Sequence, residues 1–110
     1  MDDIILWEYQ QKLTSADDAV KIVKSGDLIC YSEFVLFPKT LDAALARRIG
    51  ELDNIVIRGT SFTRVPEAVT ADMESCHIIM EDYHFGTVSR ELHKQKLSYY
   101  VPITLSLIHI

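Results

Sequence analysis

Along residues 15–50 the apolar positions change period twice. Ser15 stands where a helix N-cap belongs, with Asp18 three residues on as an acidic capping partner. Ala16, Ala19, Val20 and Val23 then recur on one helical face, and Gly26 offers the left-handed residue that ends such a helix. Leu28, Ile29, Cys30 and Tyr31 form a near-continuous apolar run, the signature of a strand in a parallel sheet. Residues 32–39 read as a loop closed by Pro38. Thr40 reads as the cap of a second helix with Leu41, Ala44, Leu45 and Ile49 as its inner stripe and Gly50 at its end. In sheets built from such units, ligands sit in the loops beyond the strand ends.

The alternation continues. Residues 54–58 predict a second strand finishing at Gly59, and residues 60–75 are irregular, with one helical turn at 67–69. Residues 76–80 predict a third strand, 82–87 a turn, and 88–96 a helix with Lys94 and Lys96 near its negative end. Residues 98–103, rich in aromatic and β-branched side chains, predict a fourth strand. Residues 4–13 read as a short amphipathic helix ahead of all this. Strands separated by helices imply an α/β fold, a mostly parallel sheet with flanking helices. The first helix and the last strand leave apolar surface without obvious partners, so we expect part of a larger unit.

Composition narrows the partners. A net charge of −5, with lysine and arginine scattered, lacks the basic face that nucleic acid requires. No run approaches the ~20 apolar residues of a membrane span, and the acidic Met1, Asp2, Asp3 start is unlike a secretion signal; a cytoplasmic protein is the expectation. Cys30 and Cys76 each fall in a strand pattern without CxxC or zinc spacing, which predicts reduced core thiols. No GxSxG elbow, P-loop or GxGxxG is present. His77, His84 and His93 lack the spacing of paired metal ligands, so no metal is expected. Asp17 and Asp18 suit a helix start; Glu81 and Asp82 are either a carboxylate pair or a solvated strand end.

The order of residues adds more. A Trp and a Tyr precede KLTSADDAVKIVKSGD; then come a strand, Pro38, LDAALARRIGELDNIVIRG, YHF and SRELHKQKLSYYVPIT. From Trp7 to about Thr104 this resembles the N-terminal part of the acetyl-CoA hydrolase/transferase family, most of all its acyl-CoA:acetate CoA-transferases of the butyryl-CoA and 4-hydroxybutyrate type. The resemblance implies an incomplete N-terminal half of a two-domain CoA-transferase-like fold, with residues 1–104 as a partial domain. It implies CoA moving between a short-chain acyl-CoA and acetate, through a glutamyl-CoA intermediate. The reactive Glu would lie in a missing C-terminal half, since none of Glu8, Glu33, Glu51, Glu67, Glu74, Glu81 and Glu91 stands in the family's nucleophile motif. No permanently bound cofactor is implied; the coenzyme A thioester is a substrate. The full-length parent is expected to be a homo-oligomer and this piece alone to be inactive. The alternatives are a thioester hydrolase on the same scaffold and a non-catalytic α/β binding domain.

The resemblance places two stretches by the acyl group: Ser32, Glu33, Phe34, Val35 and Pro38 after the first strand, and Tyr83, His84 and Phe85 after the third. Glu33, Phe34 and Phe37 stand where relatives carry small residues, and Tyr83 where this branch carries Trp. His84 either polarises a carbonyl or touches a CoA phosphate, or is a plain polar cap. Phe34, Phe37 and Phe85 either line a pocket or belong to the core. Residues 105–110 depart from the family and resemble translated adapter sequence; we expect a non-native tail.

Overall fold

A computed structural model describes residues 2–74 and 77–103. In chain order it runs α1 (Asp3–Lys12), α2 (Ala16–Ala19) continued by a 3-10 turn (Val20–Ile22), β1 (Leu28–Glu33) and α3 (Lys39–Ala46). A 3-10 turn (Ile49–Glu51), β2 (Ile55–Thr60), α4 (Glu67–Thr70), β3 (Ile78–Asp82), α5 (Thr87–Lys94) and β4 (Ser98–Tyr100) follow. The alternation of periods is therefore realised as an α/β fold. The expected tail at 105–110 and the thiol of Cys76 lie outside the described residues.

The four strands stand side by side in sequence order, all parallel. Val56 of β2 pairs with Leu28 on one side and Ile79 on the other, and the β1–β2 register slips between Cys30 and Glu33. Each connection steps to the next neighbour in the same direction, and right-handed crossovers of that kind lay the connecting helices on one face. Burial shows it. Ile55, Ile57, Ile78 and Met80 are buried beneath Ala44, Leu45, Ile49, Ala68, Val69 and Leu92. Alternate residues of a strand point the other way, and on that side Leu28 and Ile79 are 46% and 45% exposed. Parallel sheets are ordinarily covered on both faces; here the described residues cover one.

That geometry corrects several expectations. Cys30 is not a core thiol but exposed, because β1 is an edge strand and Cys30 sits on its uncovered side. α1 forms, with Asp2 accepting from the Ile4 amide, yet no residue in it is buried. Ile4, Ile5, Leu6 and Trp7 are consecutive and so ring the helix axis instead of gathering on one side. β1 runs to Glu33, two residues past its apolar run, and β2 to Thr60, one past the expected finish at Gly59. Pro38, not Thr40, occupies the N-cap position of α3, and Leu41 of the predicted inner stripe is exposed. Ser15 caps α2 as expected, accepting from the Asp18 amide at 3.2 Å. Gly26 adopts φ 89° in the turn that leads to β1, four residues beyond the 3-10 turn.

At the N-terminal edge of the sheet, His77 Nδ1 lies 2.7 Å from Asp53 Oδ1. The Asp53 hydrogen bond is the main reason the imidazole pKa rises above its ordinary 6.5. A raised folded-state pKa stabilises fully below the ordinary value and loses that contribution as pH climbs through the raised one. Asp53→Asn should therefore cost most stability below the ordinary imidazole pKa and progressively less as pH rises through the raised one. Thermal melts of both proteins across that range check it; a difference independent of pH would show the pair does not titrate as described.

Candidate functional site

Parallel strands end at a common edge, so the loops after β1, β2 and β3 emerge together. Hydrogen bonds stitch them into one rim. The Phe34 amide donates to the Thr60 carbonyl at 3.2 Å, and Thr63 Oγ1 donates back to the Phe34 carbonyl at 3.0 Å. The Tyr83 amide donates to the Gly59 carbonyl at 3.1 Å. Asp82, fully buried at the end of β3, accepts from the Ser61 amide and the His84 amide, each at 3.0 Å on Oδ1. Its Oδ2 accepts from Ser89 Oγ of α5. Ser61 Oγ donates to the His84 carbonyl at 3.3 Å. Phe34 and Ser61 hold left-handed backbones, φ 50° and 49°. Such a conformation costs a non-glycine residue about 1–2 kcal/mol and persists only where neighbours enforce it; of the four such residues among those described, these two lie in the rim, and Asn54 and Lys96 lie elsewhere.

The eight residues picked from sequence divide. Ser32 and Glu33 are the last residues of β1, the first exposed and the second half-buried. Phe34 and Val35 project to solvent, and Pro38 opens α3. Tyr83 is buried and His84 exposed. Phe85 packs against His93 and Tyr100, ring centroids 5.7 and 5.4 Å away. The predicted aromatic lining is split: Phe37 belongs to a different cluster with Tyr31 (5.4 Å) and Phe62 (6.3 Å), and Phe34 joins neither. Glu81 and Asp82 are no carboxylate pair. Adjacent strand residues point to opposite faces: Glu81 pairs with Arg58 on the open face and Asp82 is buried on the other.

Neither of the two cavities described for the chain gathers these residues. A cavity of about 260 Å³ lies between the 3-10 turn after α2, β1 and α3, lined by Val20, Ile29, Tyr31, Leu41 and Leu45; of the eight, only Pro38 reaches it. A second, of about 450 Å³ and lined by Ile49, Asp72, Glu74 and His77, is at the opposite edge of the sheet. Among the described residues, no three His, Cys, Asp or Glu side chains are grouped to hold a metal, and no helix is long and apolar enough to cross a membrane.

The residues that join the two stretches were missed. Ser61 and Thr63 bridge them from the β2 loop, and Asp82 anchors both Ser61 and His84. Residues 60–75 carry no apolar period to place them. The one available signal was Asp82 itself, an acidic residue at the position of the strand end that shares the inward face of Ile78 and Met80.

With this geometry in place, the kinship of the chain can be stated. No protein-family model matches it. It is 44% identical over 99 residues to the butyryl-CoA:acetate CoA-transferase of Anaerostipes caccae, an alignment covering 90% of this chain and 22% of that protein. It is 31% identical over 99 residues to the probable butyrate:acetyl-CoA coenzyme A-transferase of Syntrophomonas wolfei, with the same coverage. It is also 35% identical over 95 residues to the succinyl-CoA:cyclohexane-1-carboxylate CoA transferase of Geobacter metallireducens. Among solved structures, RipA from Yersinia pestis superposes with a TM-score of 0.77 at 25% identity, over 94% of this chain and 26% of RipA. The chain thus spans about a fifth of the length of the curated relatives it matches.

Proposed function

We propose, on this sequence kinship with CoA-transferases, that the chain is one portion of a longer enzyme that moves coenzyme A between a short-chain acyl-CoA and acetate. The observation that carries the reading is the 44% identity, sustained over nine-tenths of the chain rather than confined to one motif. The rim of loops supports it, because ligands of open α/β sheets lie beyond the carboxyl ends of the strands.

In the chemistry we propose, a glutamate carboxylate from outside these 110 residues attacks the thioester carbonyl and expels CoA thiolate, leaving an acyl-glutamyl anhydride. The thiolate attacks the glutamyl carbonyl, releases the carboxylic acid as its anion and leaves a glutamyl-CoA thioester. Acetate repeats the two steps in reverse and departs as acetyl-CoA. The glutamates present support a nucleophile elsewhere. Glu8, Glu51, Glu67, Glu74 and Glu91 are exposed, Glu81 is paired with Arg58, and Glu33 sits half-buried on an edge strand. This chain's part is to bind: the loops after β1 and β3 form the surface against which the acyl end of the thioester lies, so that binding energy orients the reacting carbonyl.

The test uses butyryl-CoA and acetate with the full-length protein and with the 110-residue chain. We expect acetyl-CoA and butyrate from the former and neither from the latter. Acetyl-CoA formed by the chain alone would overturn the placement of the nucleophile. Release of free CoA without acetyl-CoA would make the protein a hydrolase, and thioester binding without turnover a binding module.

A further inference from the structure

Asp82 does work that neither the kinship nor the proposed chemistry assigns. It is fully buried and accepts from donors outside its own strand: two backbone amides of the rim and the hydroxyl of Ser89. The amides belong to Ser61, whose left-handed backbone needs outside support, and to His84, whose carbonyl Ser61 Oγ also holds. Through Ser61 the hold extends by two residues to Thr63 and so to Phe34 of the first stretch. One carboxylate therefore governs the spacing between the loop after β3 and the loop after β2, and the latter is tied to the loop after β1.

We propose that Asp82 is a positioning residue for the acyl thioester: without touching substrate, it fixes the rim on which the acyl end is bound. The inference rests on the functional reading above. A useful comparison stands at the other end of the same strand, in the turn before it. Asp72 is also buried and also accepts two backbone amides, from His77 and Ile78 at 2.8 Å each, but at the N-terminal edge of the sheet, away from the rim. Removing Asp72 should loosen the fold; removing Asp82 should loosen the fold and the site.

The experiment compares Asp82→Ala, Asp82→Asn and Asp72→Ala in the full-length protein, assayed well below the lowest melting temperature. Asparagine keeps an oxygen for the two amides and offers its NH₂ group to Ser89 Oγ, which accepts. We expect Asp82→Ala to raise the KM for butyryl-CoA about tenfold, the scale of one misplaced binding contact, with kcat changed less. Asp82→Asn should restore it, and Asp72→Ala should lower the melting temperature with unchanged KM. Hydrogen exchange of peptides covering residues 61–65 and 83–86 should speed up in Asp82→Ala only. Should that variant not fold, Ser61→Gly tests the rim from the other side: it keeps the backbone amide that Asp82 holds and tolerates the left-handed backbone but loses the hydroxyl bond to the His84 carbonyl, so KM should rise without a lower melting temperature. Unchanged KM in both Asp82→Ala and Ser61→Gly, or equal KM effects from Asp72→Ala, would overturn the proposal. If the wild-type protein transfers no CoA, the functional reading fails by itself, and the exchange rates still decide whether Asp82 holds the rim.

Discussion

Asp42→Ala is expected to destabilise the fold by about 3–5 kcal/mol, the sum of a lost charged acceptor and the buried donors left behind. Asp42 is 2% exposed, on the inner side of α3. It accepts from Tyr31 Oη at 2.7 Å, from the Glu67 amide at 2.7 Å and from the Ala68 amide at 3.3 Å. Those two amides open α4, whose N-cap position is Pro66 and therefore has no side-chain acceptor of its own. Asp42 serves as that cap from a distance and also binds the edge strand. Burial first, then the Asp42 hydrogen bond, push the Tyr31 phenol above its ordinary pKa, so it stays a donor throughout the working pH range. Asp42→Asn should fall between, because only one of its two head atoms still accepts and one amide loses its partner. Domains of this size hold about 5–15 kcal/mol in total, so the alanine variant should unfold at far lower urea concentration. An alanine variant within about 1 kcal/mol of wild type would show that water replaces the carboxylate at little cost.

Asp42 also shows where sequence reading stops. Its neighbours Ala44, Leu45 and Ile49 were recognisable as an inner stripe because apolar residues at helical spacing have one economical arrangement. An aspartate inside that stripe carries no such rule. Its burial depends on donors 11, 25 and 26 residues away, brought close only by the folded chain. The strands were legible for a related reason: short continuous apolar runs such as residues 28–31 and 55–57 suit strands of a parallel sheet. Edge position is not written in the run, and so Cys30 was misplaced. α1 was found by its composition but misread as amphipathic, because consecutive apolar residues satisfy a helical count without forming a stripe. For the rim, the two stretches came from a resemblance, whereas their connection through Ser61 and Asp82 needed the backbone conformation of a loop with no pattern. The separation of Glu81 from Asp82 was within reach, since a strand alternates its faces at every residue.

Gly59→Val is expected to cost about 1–3 kcal/mol, as overpacking a filled core does, and to deform the rim as it does so. Gly59 has no need of glycine's backbone freedom; it lies inside β2, paired with Asp82 of β3. What it needs is the missing side chain. A Cβ there would stand 2.7 and 2.9 Å from Cζ and Cε2 of Phe62 and 3.4 Å from the Tyr31 carbonyl. The ring has little room to retreat: it is buried, with Tyr31 and Phe37 centroids at 6.1 and 6.3 Å, and the Arg64 guanidinium caps Phe37 at 5.4 Å. Pushing Phe62 therefore moves the aromatic cluster of Tyr31 and Phe37 and the turn at Ser61 that begins the β2 loop. Gly59→Ala should cost less, because a single methyl can be met by a small swing of the ring. Combining Gly59→Val with Phe62→Leu should recover part of the loss, giving a favourable coupling energy in a double-mutant cycle. Additive losses in that cycle would show that the strand, rather than the ring, resists the substitution.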